Sequence, residues 1–187
     1  MIPAIFLDRD GVLNENLPDY VRNWNEMVVF EAALTALTGV RNSGYKVVVV
    51  TNQSGIGRGL IPLKTAYLIN ERLVELVRVA GGRIDAVYIC PHTPLDNCAC
   101  RKPKPGMLQQ AAADLAIDLS QSIMIGDALT DIQAGRAAGV AQTALVRTGR
   151  GKAQLQLPEA AALQPLLVYD DVAQALANLL INGNLSQ

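Results

Sequence analysis

The chain has 187 residues, 50% of them hydrophobic and 18% charged, with a formal net charge of −1. That is enough chain for one domain, 1–187, with a proper core, and the charge balance excludes the basic footprint of a nucleic-acid binder. No apolar run approaches the roughly 20 residues of a membrane span, and MIPAIFLDRD meets three charges too early to be a signal peptide. A cytosolic, monomeric protein is the expectation.

In chain order, short apolar runs alternate with amphipathic stretches. AIFLD (4–8) predicts a first strand, and 31–43 a helix that ends at Asn42-Ser43-Gly44. KVVVVTN (46–52) predicts the most apolar strand, followed by a helix over 62–80 that Pro62 opens. DAVYIC (85–90) predicts a third strand, and 105–116 a helix. SIMIGD (122–127) predicts a fourth strand, then a helix over 131–138 that Gly139 closes. TALVRT (143–148) predicts a fifth. The segment 149–165 has the least pattern and reads as a surface loop or short helix. LLVYD (166–170) is a weaker sixth strand before a helix over 170–181. Continuous rather than alternating apolar runs suggest strands buried on both faces. Strand–helix alternation suggests an α/β fold: three Rossmann-like layers around a mostly parallel sheet, with no large cap domain.

Three of these runs end in polar residues able to do chemistry: LDRDG, VTNQSG and IGDALTD. In open parallel sheets, ligands bind outside the carboxyl ends of the strands. With DAVYIC, which leads into the Cys/His loop, four motifs therefore converge on one crevice. Asp8 and Asp10, two residues apart at a strand end, point the same way and repel, which calls for a cation or a shared proton. An Asp carboxylate is a competent nucleophile toward phosphorus, and a second can protonate the leaving oxygen and then deprotonate water. A plain Asp-Gly turn is the bland alternative. Asp127 ends a strand and Asp131 falls in the first turn of a helix. Hard oxygen ligands there suit Mg²⁺, although an acid near a helix N-terminus is also favoured by the helix dipole, which suits Asp131 to a supporting place. Thr51, Asn52, Gln53 and Ser54 form a strand-to-helix turn that can cradle phosphate or merely cap the helix.

All three cysteines and the one histidine fall within CPHTPLDNCAC (90–100). An odd cysteine count argues against a closed disulfide framework. Cys90, His92, Cys98 and Cys100 are the Cys₃His set of structural zinc, and four protein ligands leave no open catalytic position. Arg101 and Lys102 follow at once, so a metal-stiffened loop would hold them for phosphate oxygens.

DxDGV, a Thr at the second strand end, Lys102 in K-P-x-P and GDxxxD stand in the order of the haloacid dehalogenase (HAD) superfamily, which the chain resembles from about residue 3 to 149. Within it, TNQSG, the C-x-H…C-x-C-R-K-P loop and GDALTD are similar to the group of heptose bisphosphate phosphatases and histidinol phosphatases. The resemblance implies a phosphatase with Asp8 as nucleophile and Asp10 as acid/base. It implies Mg²⁺ held by Asp8, the Asp10 carbonyl and Asp127. Thr51 and Lys102 would stabilise the phosphoryl group, and Arg101 would recognise a small phosphate-ester substrate. NQSGIGRG (52–59), KPKPGML (102–108) and LVRTG (145–149) favour the heptose branch, with Arg58 as a cation for a second phosphate and Tyr20 in the substrate loop. The short zinc-loop spacing and Ala128 lean toward histidinol phosphate. A receiver-like phospho-acceptor is the non-enzymatic alternative.

Overall fold

A computed structural model of the protein describes residues 1–183. Its six strands are β1 (Ala4–Leu7), β2 (Lys46–Asn52), β3 (Ala86–Cys90), β4 (Ile123–Gly126), β5 (Gln142–Val146) and β6 (Leu167–Tyr169). The helices are α1 (Glu31–Gly39), α2 (Ser54–Gly57), α3 (Leu63–Val79), α4 (Gly106–Leu115), α5 (Leu129–Ala138), α6 (Gly151–Gln154), α7 (Pro158–Ala162) and α8 (Val172–Gly183). The strands form one sheet in the order β3-β2-β1-β4-β5-β6. Every pairing is parallel. The chain thus winds outward from β1 in one direction and, after α4, from β4 in the other.

The apolar runs are continuous because each strand feeds two cores. Ile5, Leu7, Val47 and Val49 point into one, with Leu37 of α1, Leu73 of α3 and Leu176 of α8. Phe6, Val48, Val50 and Met124 point into the other, with Leu108 of α4 and Ala134 of α5. This is the period-2 alternation of a strand read against helices on both faces. All four residues of β1 and of β4 are buried, whereas the edge strands β3 and β6 are only partly so.

Helix α1 is shorter than the sequence reading, and 149–165 holds short helices as that reading allowed. Helix α1 stops at Gly39, and Val40 closes the turn by donating to the Ala36 carbonyl, ahead of the Asn-Ser-Gly signal. The segment 149–165 holds α6 and α7, and its first residues enter the crevice. Among the described residues no domain-sized insertion follows any strand; the connection from β1 to α1 is a loop with one short 3₁₀ turn, Trp24–Glu26. Among the described residues no helix is long and apolar enough to cross a membrane.

Candidate active site

Beyond the carboxyl ends of β1, β2, β4 and β5 lies a cleft of about 560 Å³ whose lining includes Asp8, Asp10, Thr51, Lys102, Asp131 and Arg150. It sits where the winding reverses between β1 and β4, the expected crevice of such a sheet. The backbone N–H of Asp8 donates to the Ile125 carbonyl at 3.0 Å, continuing the β1–β4 ladder by one residue. Oxygens of Asp8, Asp127 and Asp131 then come within 4.8 Å of one another.

Lys102 neutralises part of that charge. Its ammonium lies 2.8 Å from Asp8 Oδ1 and 2.7 Å from Asp131 Oδ1, and donates to the Val50 carbonyl at 2.7 Å. All three N–H groups are thereby used. The backbone of Lys102 is fixed as well: its N–H donates to Asn52 Oδ1 and its carbonyl accepts from Asn52 Nδ2, both at 3.1 Å. Burial works against the Lys102 charge, but Asp131 and Asp8 outweigh it and hold its pKa above the usual lysine value. Asp131, at the start of α5, accepts from the Ala128 N–H at 3.0 Å with its other oxygen. It therefore braces the helix and the lysine together.

Lys102 and Arg150, the latter 3.2 Å from Asp127 Oδ1, are two cations against three buried acids. Burial, opposed by Lys102 and reinforced by Asp131, Asp127 and Asp10, pushes Asp8 up to about 7. Burial also raises Asp127, against the pull of Arg150. A carboxylate cluster in this state fits a hard divalent cation, which would take oxygen ligands and relieve the repulsion.

Asp10 has a different setting. Although β1 ends at Leu7, Asp10 lines the same cleft as Asp8, and its charge adds to the rise at Asp8. Asp10 accepts from Arg9 Nη2 at 2.8 Å, Gln53 Nε2 at 2.8 Å and Asn14 Nδ2 at 2.9 Å. Arg9, 1% exposed, is itself held by Asn70 on α3 at 3.0 Å. Burial raises Asp10, yet the Arg9 charge and these hydrogen bonds together bring it below the usual carboxylate value. Gly11 (φ +90°) gives the turn its left-handed step, and a Cβ there would overlap the Asp127 carboxylate.

The remaining sequence candidates divide. Thr51, Asn52, Ser54, Tyr20 and Arg101 line the cleft, and the Tyr20 and Ser54 hydroxyls are 3.2 Å apart. Gln53 is turned away from the cleft, its amide committed to Asp10 and to Thr51 Oγ1. Arg58 caps the end of α2, exposed and outside the lining. The sequence reading gives Arg9, Asn14 and Arg150 no role. LVRTGRG placed a cation just past a strand end, which was the available signal for Arg150.

The cysteine loop closes on itself. Sγ of Cys100 lies 3.2 Å from that of Cys90 and 3.4 Å from that of Cys98, and His92 Nδ1 is 3.3 Å from Cys100 Sγ. Ligands about 2.3 Å from a tetrahedral zinc sit roughly 3.7 Å apart, so the set fits that ion with slight expansion. Without a metal, burial pushes Cys90 up to about 12, while hydrogen bonds from Cys100, the Arg101 backbone and Cys90 offset burial at Cys98 and bring it to about 7; a bound cation would hold all three as thiolates. The loop reaches the cleft through Arg101, whose Nη1 donates to the His92 carbonyl at 3.1 Å.

Buried carboxylates around a fixed lysine, at the switch point of a doubly wound parallel sheet, make this cleft the candidate active centre of an α/β enzyme. The HAD-hydrolase-like family model matches residues 99–175. D-glycero-β-D-manno-heptose-1,7-bisphosphate 7-phosphatase of Neisseria meningitidis is 42% identical over 160 residues, covering 83% of this chain and 85% of that protein. The enzyme of the same name from Pseudomonas aeruginosa is 40% identical over 178 residues, covering 94% and 97%. The crystal structure of D,D-heptose 1,7-bisphosphate phosphatase from Bordetella bronchiseptica, complexed with magnesium and phosphate, superposes with a TM-score of 0.87 at 36% identity, covering 97% of this chain and 99% of that one. The chain belongs to the HAD-like hydrolase family.

Proposed function

We propose that the protein is a Mg²⁺-dependent phosphatase that removes the 7-phosphate of D-glycero-D-manno-heptose 1,7-bisphosphate. The observation that carries this is the Asp8–Lys102–Asp131 cluster beside Asp127, in a chain about 40% identical to phosphatases of that name over nearly its full length. Asp8, the Asp10 carbonyl and Asp127 would hold Mg²⁺, which offsets charge on the phosphoryl oxygens when bound.

Lys102 engages Oδ1 of Asp8, which leaves Oδ2 to attack phosphorus in line. The bond from phosphorus to the sugar oxygen breaks, and Asp10 gives that oxygen its proton. The incoming negative substrate favours the protonated form of Asp10. Water then attacks the aspartyl-phosphate, Asp10 takes the water proton, and inorganic phosphate leaves with the Asp8 carboxylate restored. The positive charge of Lys102 and the Thr51 hydroxyl offset charge on the phosphoryl oxygens throughout, the main contribution a protein makes to this chemistry. Arg9, Asn14 and Gln53 aim Asp10, while Tyr20, Asn52, Ser54 and Arg101 line the path of the sugar.

The cysteine set serves as a structural zinc site that steadies Arg101. Two arginines in the cleft suit a substrate with two phosphates and disfavour the amine of histidinol phosphate, because like charges repel across a short gap. Three clustered cysteines, an odd number arranged as a metal-ligand set, suit a reducing, cytosolic setting, and we take the working unit to be a monomer. The test is phosphate release from both anomers of the heptose bisphosphate, from histidinol phosphate and from sugar monophosphates. A preference for the heptose bisphosphate is expected; a preference for histidinol phosphate overturns the assignment. A phosphoryl-Asp8 that persists for minutes without turnover would instead identify a phospho-acceptor.

A further inference from the structure

Arg101 and Arg150 enter the cleft from opposite sides of Asp8. Arg101 follows β3, two strands away on one side of β1, and Arg150 follows β5, two strands away on the other. The loop that carries Arg150 is pinned to the turn after β1. Thr148 Oγ1 donates to the Gly11 carbonyl at 2.6 Å, and Gly149 (φ +55°) leaves no room for a Cβ beside Gly11 and Asp127. The Arg150 backbone N–H donates to Asp127 Oδ2 at 2.8 Å.

Its side chain is held more loosely. Nη2 reaches Asp127 Oδ1 at 3.2 Å and Nε reaches Oδ2 at 3.4 Å, with the side chain 54% exposed. Strong charged hydrogen bonds are shorter, about 2.7–2.9 Å. Asp127, fully buried, gives both its oxygens to this one residue.

We propose that Arg150 is a specificity-determining residue, whose guanidinium leaves Asp127 when a divalent cation takes that carboxylate and then binds the phosphate of the substrate that is not transferred. This rests on the bisphosphatase reading above. A divalent ion and a guanidinium repel each other over one carboxylate, so the exposed partner is displaced. The backbone N–H keeps Asp127 oriented after the side chain departs. The freed fork matches phosphate geometry. The neighbouring position, 128, carries a buried alanine and supplies no competing charge. The resting ion pair thus stores a substrate-binding group on a metal ligand.

Arg150→Ala and Arg150→Lys test this with two readouts. Calorimetry with Mg²⁺ alone should show Arg150→Ala binding about twofold to fivefold more tightly than wild type, the range of an exposed ion pair. Its kcat/KM for heptose 1,7-bisphosphate should fall about 10- to 100-fold further than for p-nitrophenyl phosphate, mainly through KM, the range of one charged hydrogen bond. Arg150→Lys should recover part of that difference. Equal losses on the two substrates, or Mg²⁺ binding unchanged or weakened in Arg150→Ala, overturn the proposal. If wild type leaves the bisphosphate uncleaved, the substrate reading and the phosphate-binding role fall together. Tighter Mg²⁺ binding by Arg150→Ala would then still establish the exchange at Asp127.

Discussion

Asp8→Asn should abolish phosphate release and, in Mg²⁺-free protein at pH 8, should make the fold more stable. Burial, with Asp131, Asp127 and Asp10 adding to it and Lys102 opposing it, moves the Asp8 carboxyl from 3.8 to about 7. At about 1.36 kcal/mol per pH unit, ionising it in the folded protein costs on the order of 4 kcal/mol relative to the unfolded chain. The residue is 4% exposed, so water does little to screen that cost. Between pH 3.8 and about 7 the folded protein keeps a proton that the unfolded chain has lost. Stability therefore falls as pH rises through that window, and the loss is complete above it. An asparagine escapes the loss, and its amide oxygen can still accept from Lys102, which also keeps Asp131 and the Val50 carbonyl. The expected gain is up to about 4 kcal/mol at pH 8 and near zero at pH 4. At about 2–4 °C per kcal/mol for a chain of this size, thermal melts at pH 8 should rise by roughly 8–16 °C. Melts of both proteins from pH 4 to 8, in buffer free of Mg²⁺ with zinc retained, make the measurement. A variant less stable than wild type at pH 8, or a difference that ignores pH, would refute the reasoning. Added Mg²⁺ should narrow the gap by restoring the charge balance of the wild-type cluster.

Two further outcomes follow from the same geometry. Cys100→Ser removes the thiol that touches Cys90, Cys98 and His92; metal analysis should show zinc lost, and kinetics should show KM rising more than kcat falls, because Arg101 loses its carbonyl partner at His92. Zinc loss with KM unchanged would show that the loop does not aim Arg101. Arg58→Ala, outside the cleft lining, should change kcat/KM by less than about twofold, whereas Arg101→Ala should cost about tenfold or more; steady-state rates with the bisphosphate would expose the reverse order.

The strands were readable because burial on both faces leaves long apolar runs: KVVVVTN coincides with β2, and AIFLD overshoots β1 by one residue. Strand ends also located the site, since Asp8, Thr51 and Asp127 need only the rule that ligands gather there. Lys102 and the cysteine loop were legible from the local pattern. What stayed hidden depends on where side chains point after folding. Arg9 lies inside the quoted LDRDG, yet its partner Asn70 is 61 residues away on α3. Gln53 and Ser54 are adjacent, but the start of α2 sends one toward Asp10 and leaves the other in the cleft. The same short helix carries Arg58 out to solvent, so its closeness in sequence to the phosphate turn misleads. Arg150 was obscured because 149–165 has no periodicity, and its place is set by glycine contacts across the sheet.

Lys102 belongs to a loop by sequence and to the core by attachment. Asn52 ties its backbone to the end of β2, and Arg101 beside it is tied back to the start of the cysteine loop. Within that loop only 93–97, between the ligands His92 and Cys98, can therefore change length without displacing the lysine, since doubling a flexible loop costs only about 0.6 kcal/mol. The placing of Arg101 in the cleft can thus be retuned while the Lys102 ammonium stays in register with Asp8. The architecture separates what must be constant for chemistry from what is free to diversify for recognition.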